Sequence, residues 1–164
     1  MNKISKAHSK RSLVKAILIA GLIAGTLDAA AATIKYYIDT GNGPVRIFVF
    51  IASGVFGKDA YASSKSIAIF GLIFHYLIAI IFSGFYFLIY PQIKFLHTNK
   101  LFSAFLYGIF VWLIMNLIVV PLSNTPALTF HITGALIAAF ILIICIGIPV
   151  CFMAASFYKK NIFA

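Results

Sequence analysis

Residues 101–158 read LFSAFLYGIFVWLIMNLIVVPLSNTPALTFHITGALIAAFILIICIGIPVCFMAASFY and contain no Asp, Glu, Lys or Arg. As one helix these 58 residues would be roughly 87 Å long, whereas the hydrocarbon core of a bilayer is about 30 Å thick. The segment therefore has to fold back. The hexapeptide PLSNTP, residues 121–126, holds two prolines around Ser-Asn-Thr and predicts that turn. The sequence thus predicts two membrane-spanning helices, over about residues 101–120 and 129–158.

Two further apolar segments precede this pair and predict two more spanning helices, over about residues 13–38 and 66–90. The later of the two contains no charged residue, and the earlier one is interrupted by Lys15, Asp28 and Lys35. The composition agrees, because 63% of the residues are hydrophobic and 10% are charged, against roughly 25% charged in soluble domains. We predict an all-α, integral-membrane four-helix bundle that forms a single transmembrane domain over residues 1–164.

The distribution of Lys and Arg predicts the orientation of this bundle. With the N-terminus inside, nine of the 13 basic residues lie on the cytoplasmic side and four lie outside. This bias favours an N-in, C-in topology, and we predict a multi-pass protein of the cell's inner (cytoplasmic) membrane. The net charge of +10 is explained by basic residues that flank apolar segments and meet lipid headgroups, so the expected partner is the lipid bilayer and not nucleic acid.

The basic N-terminus, followed by the apolar residues 16–24 and small residues near Ala30, also resembles a cleaved signal peptide. Two features argue against cleavage: the helical pattern continues to Ile38, and Asp28 would lie just before the cleavage site. We expect the first helix to be retained.

The predicted outer loop, residues 39–65, contains a short apolar segment of its own. The motif TGNGP, residues 40–44, begins a turn, and VRIFVFIASGVFG, residues 45–57, follows it. This segment is too short to span a bilayer. It predicts an interfacial or re-entrant helix that ends at Gly54 or Gly57.

Small residues recur at helical spacing and predict where the helices pack closely. Gly21 and Gly25 lie four residues apart on the first predicted helix, Gly71 begins a stripe on the second, and Gly108 lies on a stripe of the third. Because residues four apart share a face, these glycines would allow a neighbouring helix to approach closely.

Each predicted span carries one polar side chain on or beside its small-residue face, and these are Asp28, His75, Asn116 and His131. Asp28 and His75 each lie about eight residues from the outer end of their helix, roughly 12 Å deep. Asn116 is shallower, and His131 is near the outer rim. The arrangement predicts a polar pocket in the outer half of the bundle, with the outer loop as a lid. Alternatively, a bond from Asp28 to His75 or Asn116 only fixes the helix packing.

No catalytic motif is present: the sequence lacks GxSxG, HExxH, a P-loop and GxGxxG. We therefore predict that the protein is not an enzyme, and that it has no cofactor and no metal, because too few ligand residues converge. Cys145 and Cys151 lie six residues apart, which is poor geometry for a disulfide on one helix.

Four motifs, GLIAGTLDAAAA, IASGVFGKDA, GLIFHYLIAI and YGIFVWLIMNLIVVPLSNTP, are similar to those of a family of small bacterial four-helix inner-membrane proteins of uncharacterised function. The resemblance covers about residues 15–155. It implies the same fold and contains Asp28, His75 and Asn116, but it implies no activity, cofactor or catalytic residue. A looser likeness is to YagU-type inner-membrane proteins, which are linked with acid resistance.

Three functions remain open from the sequence. The leading hypothesis is a membrane protein that binds or passes a small solute or a proton through an outward-facing polar pocket, as a homo-oligomer or alone. The second is a structural or accessory subunit that docks a membrane partner protein. The third is a lipid- or quinone-linked membrane enzyme that uses Asp28 and His75 as acid and base.

Overall fold

The structure is a computed structural model that describes residues 3–62, 66–126 and 131–162. Within these ranges every regular element is a helix. The helices that precede the long uncharged segment are α1 Lys3–Thr40, α2 Val45–Phe56, α3 Asp59–Ala62, α4 Ile67–Ile89 and α5 Phe95–Thr98. The uncharged segment contains α6 Lys100–Ile114, a π-helical turn Met115–Val119, α7 Val120–Leu122, α8 Ile132–Leu142, a second π-helical turn Ile143–Gly147, and α9 Ile148–Ile162.

Four helical stretches are long and apolar enough to cross a membrane. We call them span 1 to span 4, and their bounds are Arg11–Thr40, Ile67–Ile89, Lys100–Leu122 and Ile132–Lys159. The predicted all-helical fold with four membrane-length helices is therefore confirmed. The predicted boundaries differ by a few residues at most ends, and the predicted start of the fourth helix at residue 129 lies outside the described residues.

The spans alternate in direction, so the bundle has two distinct ends. The end that carries the connections 41–66 and 123–126 is called the loop end. Here the backbone N–H of Asn124 donates to the carbonyl of Gly54 at 3.0 Å, which ties the two connections together. The opposite end, which carries residues 90–99, is called the terminal end.

Helix α2, which we call the loop helix, packs along span 2. A side chain at Gly71 would lie 1.8 Å from the carbonyl oxygen of Phe48, so the two backbones touch. The loop helix ends at Phe56, and Gly57 follows with φ +64° while its N–H donates to the carbonyl of Ser53 at 2.8 Å. Because this left-handed conformation favours glycine, Gly57 ends the helix, and Gly54 lies within it.

The other predicted packing glycines lie between spans. A Cβ at Gly21 would lie 2.7 Å from Cα of Ile80 in span 2, and one at Gly25 would lie 3.0 Å from the ring of Tyr76. A Cβ at Gly108 would lie 2.4 Å from Cα of Ile143 in span 4. Spans 1 and 2 and spans 3 and 4 therefore form two close pairs, and Gly71 instead faces the loop helix.

Both π-helical turns precede a proline by the same interval. Met115–Val119 comes before Pro121, and Ile143–Gly147 comes before Pro149. In each turn the last bond runs from an N–H to the carbonyl five residues earlier: Val120 to Met115, and Ile148 to Ile143. Proline lacks an N–H and collides with the carbonyl four residues before it, and a widened turn relieves this collision.

Tyrosine side chains fill the terminal half of the bundle. The hydroxyl of Tyr107 donates to the carbonyl of Phe82 at 2.5 Å, and that of Tyr158 donates to the carbonyl of Phe87 at 2.8 Å. The hydroxyls of Tyr86 and Ser103 are 3.0 Å apart and both buried. Hydrogen-bonded tyrosine hydroxyls and buried rings make this half a packed core.

Candidate functional site

A cavity of about 410 Å³ lies among the four spans and the loop helix. Near the loop end it is bordered by Lys35 and Asp39, whose side chains are 32% and 51% exposed. Its deepest lining residues are Phe82, Val111 and Ile146, and the packed tyrosine core lies beyond them. The cavity is therefore accessible from the loop end and closed toward the terminal end.

One face of span 1 forms a continuous polar wall of this cavity. Asp28, Ala32, Lys35 and Asp39 all line it, and their spacing of three to four residues keeps them on one face of a helix. Lys35 and Asp39 form a salt bridge near the loop end. Asp28 lies about two turns farther in than Lys35, so it is the deepest charged residue of this wall.

His75 of span 2 is fixed by the backbone of span 1. Its Nε2 lies 2.8 Å from the carbonyl oxygen of Gly25. A carbonyl can only accept, so Nε2 carries the proton and donates. The ring also contacts Phe48 of the loop helix edge-to-face, with 6.4 Å between the ring centroids. His75 therefore joins span 1, span 2 and the loop helix at the cavity wall.

Asp28 has no comparable partner. In the part of the chain that the structure describes, its carboxylate forms neither a hydrogen bond nor a salt bridge, although it lines the same cavity as His75. The bond between these two side chains that the sequence left open is absent from the described residues, because Nε2 of His75 is directed to Gly25. Asp28 instead faces the cavity.

Span 3 adds an amide and an indole to the wall. The Nδ2 of Asn116 donates to the carbonyl of Trp112 at 2.9 Å, one turn earlier on the same helix. Its Oδ1 has no hydrogen-bond partner among the described residues. The indole Nε1 of Trp112 is buried and finds no acceptor among the described residues. Both residues line the cavity, and Asn116 belongs to the first π-helical turn.

The loop helix forms the remaining wall. The cavity is lined here by Ile47, Phe48 and Ile51, which lie within about one turn of the loop helix. The far end of the loop helix is held by Asn124, whose Nδ2 donates to the carbonyl of Val55 at 3.3 Å. The loop helix is therefore attached to span 2 along its length and to the connection between spans 3 and 4 at its end.

Three of the four polar candidates share this cavity, and His131 does not. His131 is exposed, lies at the first residue described before α8, and accepts a backbone hydrogen bond from Ala135 at 3.0 Å. It is not among the residues that line the cavity. The expected position of Asp28, about eight residues from the end of its helix, needs correction, because Asp28 is twelve residues before the end of α1 at Thr40. Asp28 and His75 still lie at a similar level, since His75 contacts Gly25, one turn before Asp28.

The sequence reasoning missed Lys35, Tyr36 and Asp39 as cavity residues. The signal was present, since Lys35 and Asp39 follow Asp28 by seven and eleven residues and so share its face. Treating residue 39 as the first residue of a loop concealed this relationship, because α1 continues to Thr40.

Metal and thiol chemistry have little support at this site. Among the described residues no group of three His, Cys, Asp or Glu side chains could hold a metal ion. Cys145 and Cys151 are both free thiols.

Comparison of the chain with protein-family models, with curated proteins and with solved structures finds no match. The family resemblance of the sequence motifs therefore stays a prediction. The function is argued from the cavity.

Proposed function

We propose that the protein is a multi-pass bacterial inner-membrane protein that binds a small solute in this cavity from the outer side and passes it inward. One observation carries the proposal. Asp28, His75 and Asn116 come from three different spans and line one cavity, which is accessible at one end of the bundle and closed at the other.

The proposed orientation places the loop end outside. It rests on the excess of Lys and Arg at the terminal end, nine residues against four. In this orientation the loop helix lies in the outer leaflet or its interface, since it is mostly apolar and its twelve residues are too few to cross the bilayer. It then covers one side of the cavity from the outside.

A binding role gives a reason for the isolated carboxylate. A charged side chain near the centre of a membrane helix costs about 2.5–3.5 kcal/mol on insertion scales. A residue that only fixes helix packing would recover this cost through a hydrogen bond. Asp28 has no such bond in the described part of the chain, so a ligand that fills the cavity is the partner we propose for it.

Passage inward requires the closed half to open. The π-helical turns Met115–Val119 and Ile143–Gly147 both border the cavity, through Met115, Asn116 and Ile146. Such turns are frequent at functional sites because their hydrogen bonding is less regular. We propose that these two turns change conformation when the solute moves past Val111.

Two alternatives are less well supported. A docking role needs small-residue faces that are free for a partner helix, but Gly21, Gly25 and Gly108 are occupied within the chain by Ile80, Tyr76 and Ile143. An acid–base enzyme would use Asp28 and His75 as a hydrogen-bonded pair, whereas His75 donates to a backbone carbonyl and not to Asp28.

Cysteine accessibility tests the cavity and the orientation together. In a background where Cys145 and Cys151 are replaced by Ala, Ala32→Cys places a thiol in the cavity, and Ala30→Cys places one on the exposed, non-cavity face of the same helix. In right-side-out vesicles, a charged, membrane-impermeant maleimide should label Ala32→Cys and leave Ala30→Cys unlabelled. Equal labelling of both, or labelling of Ala32→Cys only in inside-out vesicles, would refute the proposal.

A further inference from the structure

Several donors around the cavity are engaged within the chain. Lys35 is paired with Asp39, Nε2 of His75 donates to the carbonyl of Gly25, and Nδ2 of Asn116 donates to the carbonyl of Trp112. The indole N–H of Trp112 has no partner among the described residues, but it is buried beneath the surface and cannot reach a ligand. One N–H each of Lys35, His75 and Asn116 is therefore directed to an acceptor of the chain and not to a ligand.

The acceptors around the cavity are free. The carboxylate of Asp28 has no hydrogen-bond partner in the described ranges, and Oδ1 of Asn116 has none there either. The cavity therefore presents acceptors to its contents, and a matching ligand carries donors.

Of the charged residues at the cavity, Asp28 is the one that forms no salt bridge in the described structure. Lys35 and Asp39 compensate each other in a salt bridge near the loop end. Asp28 lies deeper and forms no salt bridge in the described structure. A single positive charge on the ligand would neutralise this carboxylate, and in an apolar site such a pair is far stronger than in water.

The remaining walls are apolar and aromatic. They comprise aliphatic side chains from all four spans and the loop helix, together with Phe48, Phe82 and Trp112. Apolar walls accept a hydrocarbon body, and aromatic faces attract a cation. The volume of about 410 Å³ is near the lower end of the range for ligand pockets, about 300–1,000 Å³. The ligand must therefore be compact.

We infer that the solute is a protonated amine with a compact apolar body, whose ammonium N–H groups donate to Asp28 and Asn116. The inference rests on the proposed function and names its substrate class. A quaternary ammonium would neutralise the charge of Asp28, but it has no N–H to donate to Asp28 or Asn116. A carboxylate or phosphate ligand would bring its own negative charge next to that of Asp28.

The chain supplies its own probe for this inference. Trp112 is the only tryptophan and lines the cavity, so its fluorescence reports on what enters. Three adamantane derivatives share one cage and differ in charge: 1-aminoadamantane is a cation at neutral pH, 1-adamantanol is neutral, and adamantane-1-carboxylate is an anion. Each is titrated into the purified, full-length protein in a mild detergent.

We expect the amine to change the Trp112 emission saturably and to bind at least tenfold more tightly than the alcohol, with the carboxylate weakest. Asp28→Asn should weaken amine binding roughly tenfold or more, and Asn116→Leu should weaken it roughly two- to tenfold. Asp59→Asn, the same change at an exposed carboxylate outside the cavity, should leave it unchanged.

Equal affinity for all three compounds would overturn the inference. So would a preference for the carboxylate, or amine binding that Asp28→Asn does not affect. Each of these results would contradict the amine as the substrate class, but each would be compatible with the binding of another solute in the cavity. If Asp28→Asn does not fold, the three-compound series on the unaltered protein still decides. Absence of any saturable change, with Ala32→Cys inaccessible to maleimide, would remove the proposed function as well.

Discussion

Nε2 of His75 lies 2.8 Å from the carbonyl oxygen of Gly25, one turn before Asp28. This contact joins the side chain of span 2 to the backbone of span 1 at a glycine. The contact is close because Gly25 has no side chain and Tyr76 and Ala79 occupy the space beside it. The imidazole thereby borders the cavity, and its Nε2 donates to the backbone and not to the carboxylate of Asp28.

Replacing His75 with Leu should destabilise the protein by about 0.5–1.5 kcal/mol, because the hydrogen bond to Gly25 is lost while the apolar contact with Phe48 is kept. Thermal unfolding in detergent measures the difference. His131→Leu makes the same exchange at an exposed site outside the cavity and should change the stability by less. Equal effects of the two variants would show that the His75 bond contributes nothing.

Asp28→Asn should leave the melting temperature in detergent equal to that of the unaltered protein or raise it. The carboxylate has no partner in the described structure, so the substitution removes a poorly solvated charge and breaks no bond. Stability gained at the expense of activity is expected of a working site. A clear fall in the melting temperature would instead identify Asp28 as a packing residue and favour the search for a partner protein.

Asp39→Asn tests the salt bridge at the loop end. Both partners are partly exposed, at 32% and 51%, so solvent screens the pair and its loss should cost less than about 1 kcal/mol. The unpaired Lys35 would then compete with the amine for Asp28. We therefore expect weaker binding of 1-aminoadamantane with little change in thermal unfolding.

Gly108→Ala should destabilise the bundle, because a Cβ there would lie 2.4 Å from Cα of Ile143 and spans 3 and 4 would have to separate. Gly134→Ala provides the matched control, since a Cβ at that position meets no atom within 4 Å. There the higher helix propensity of alanine, about 1 kcal/mol better than glycine, should leave stability unchanged or improved. Similar unfolding curves for both variants would contradict the close packing at Gly108.

Asn124→Ala should loosen the end of the loop helix. The substitution removes the bond from Nδ2 to the carbonyl of Val55, while the backbone bond to Gly54 remains. Hydrogen exchange of the amides in Val45–Phe56 should become faster, with that of span 3 unchanged. Unchanged exchange in the loop helix would mean that its packing against Gly71 is sufficient to hold it.

Residue types and spacing could predict the spans closely but the cavity only in part. Apolar length and the PLSNTP turn define four helices because a bilayer imposes its thickness on any segment that crosses it. The stripe of Asp28 could be extended to Lys35 and Asp39 only once the helix was known to reach Thr40. His131 shared the pattern of the other candidates, but it lies at a helix end that faces away from the cavity.

The sequence by itself determined that the chain is helical, that four helices can cross a membrane, and which faces carry small and polar residues. These are local properties, since hydropathy, helical periodicity and turn-forming residues act over a few neighbouring positions. The tertiary structure alone decided that His75 donates to Gly25 and leaves Asp28 unpaired, and that Gly71 faces the loop helix. Those outcomes depend on the register of one helix against another, which the packing of distant residues sets and no local pattern encodes.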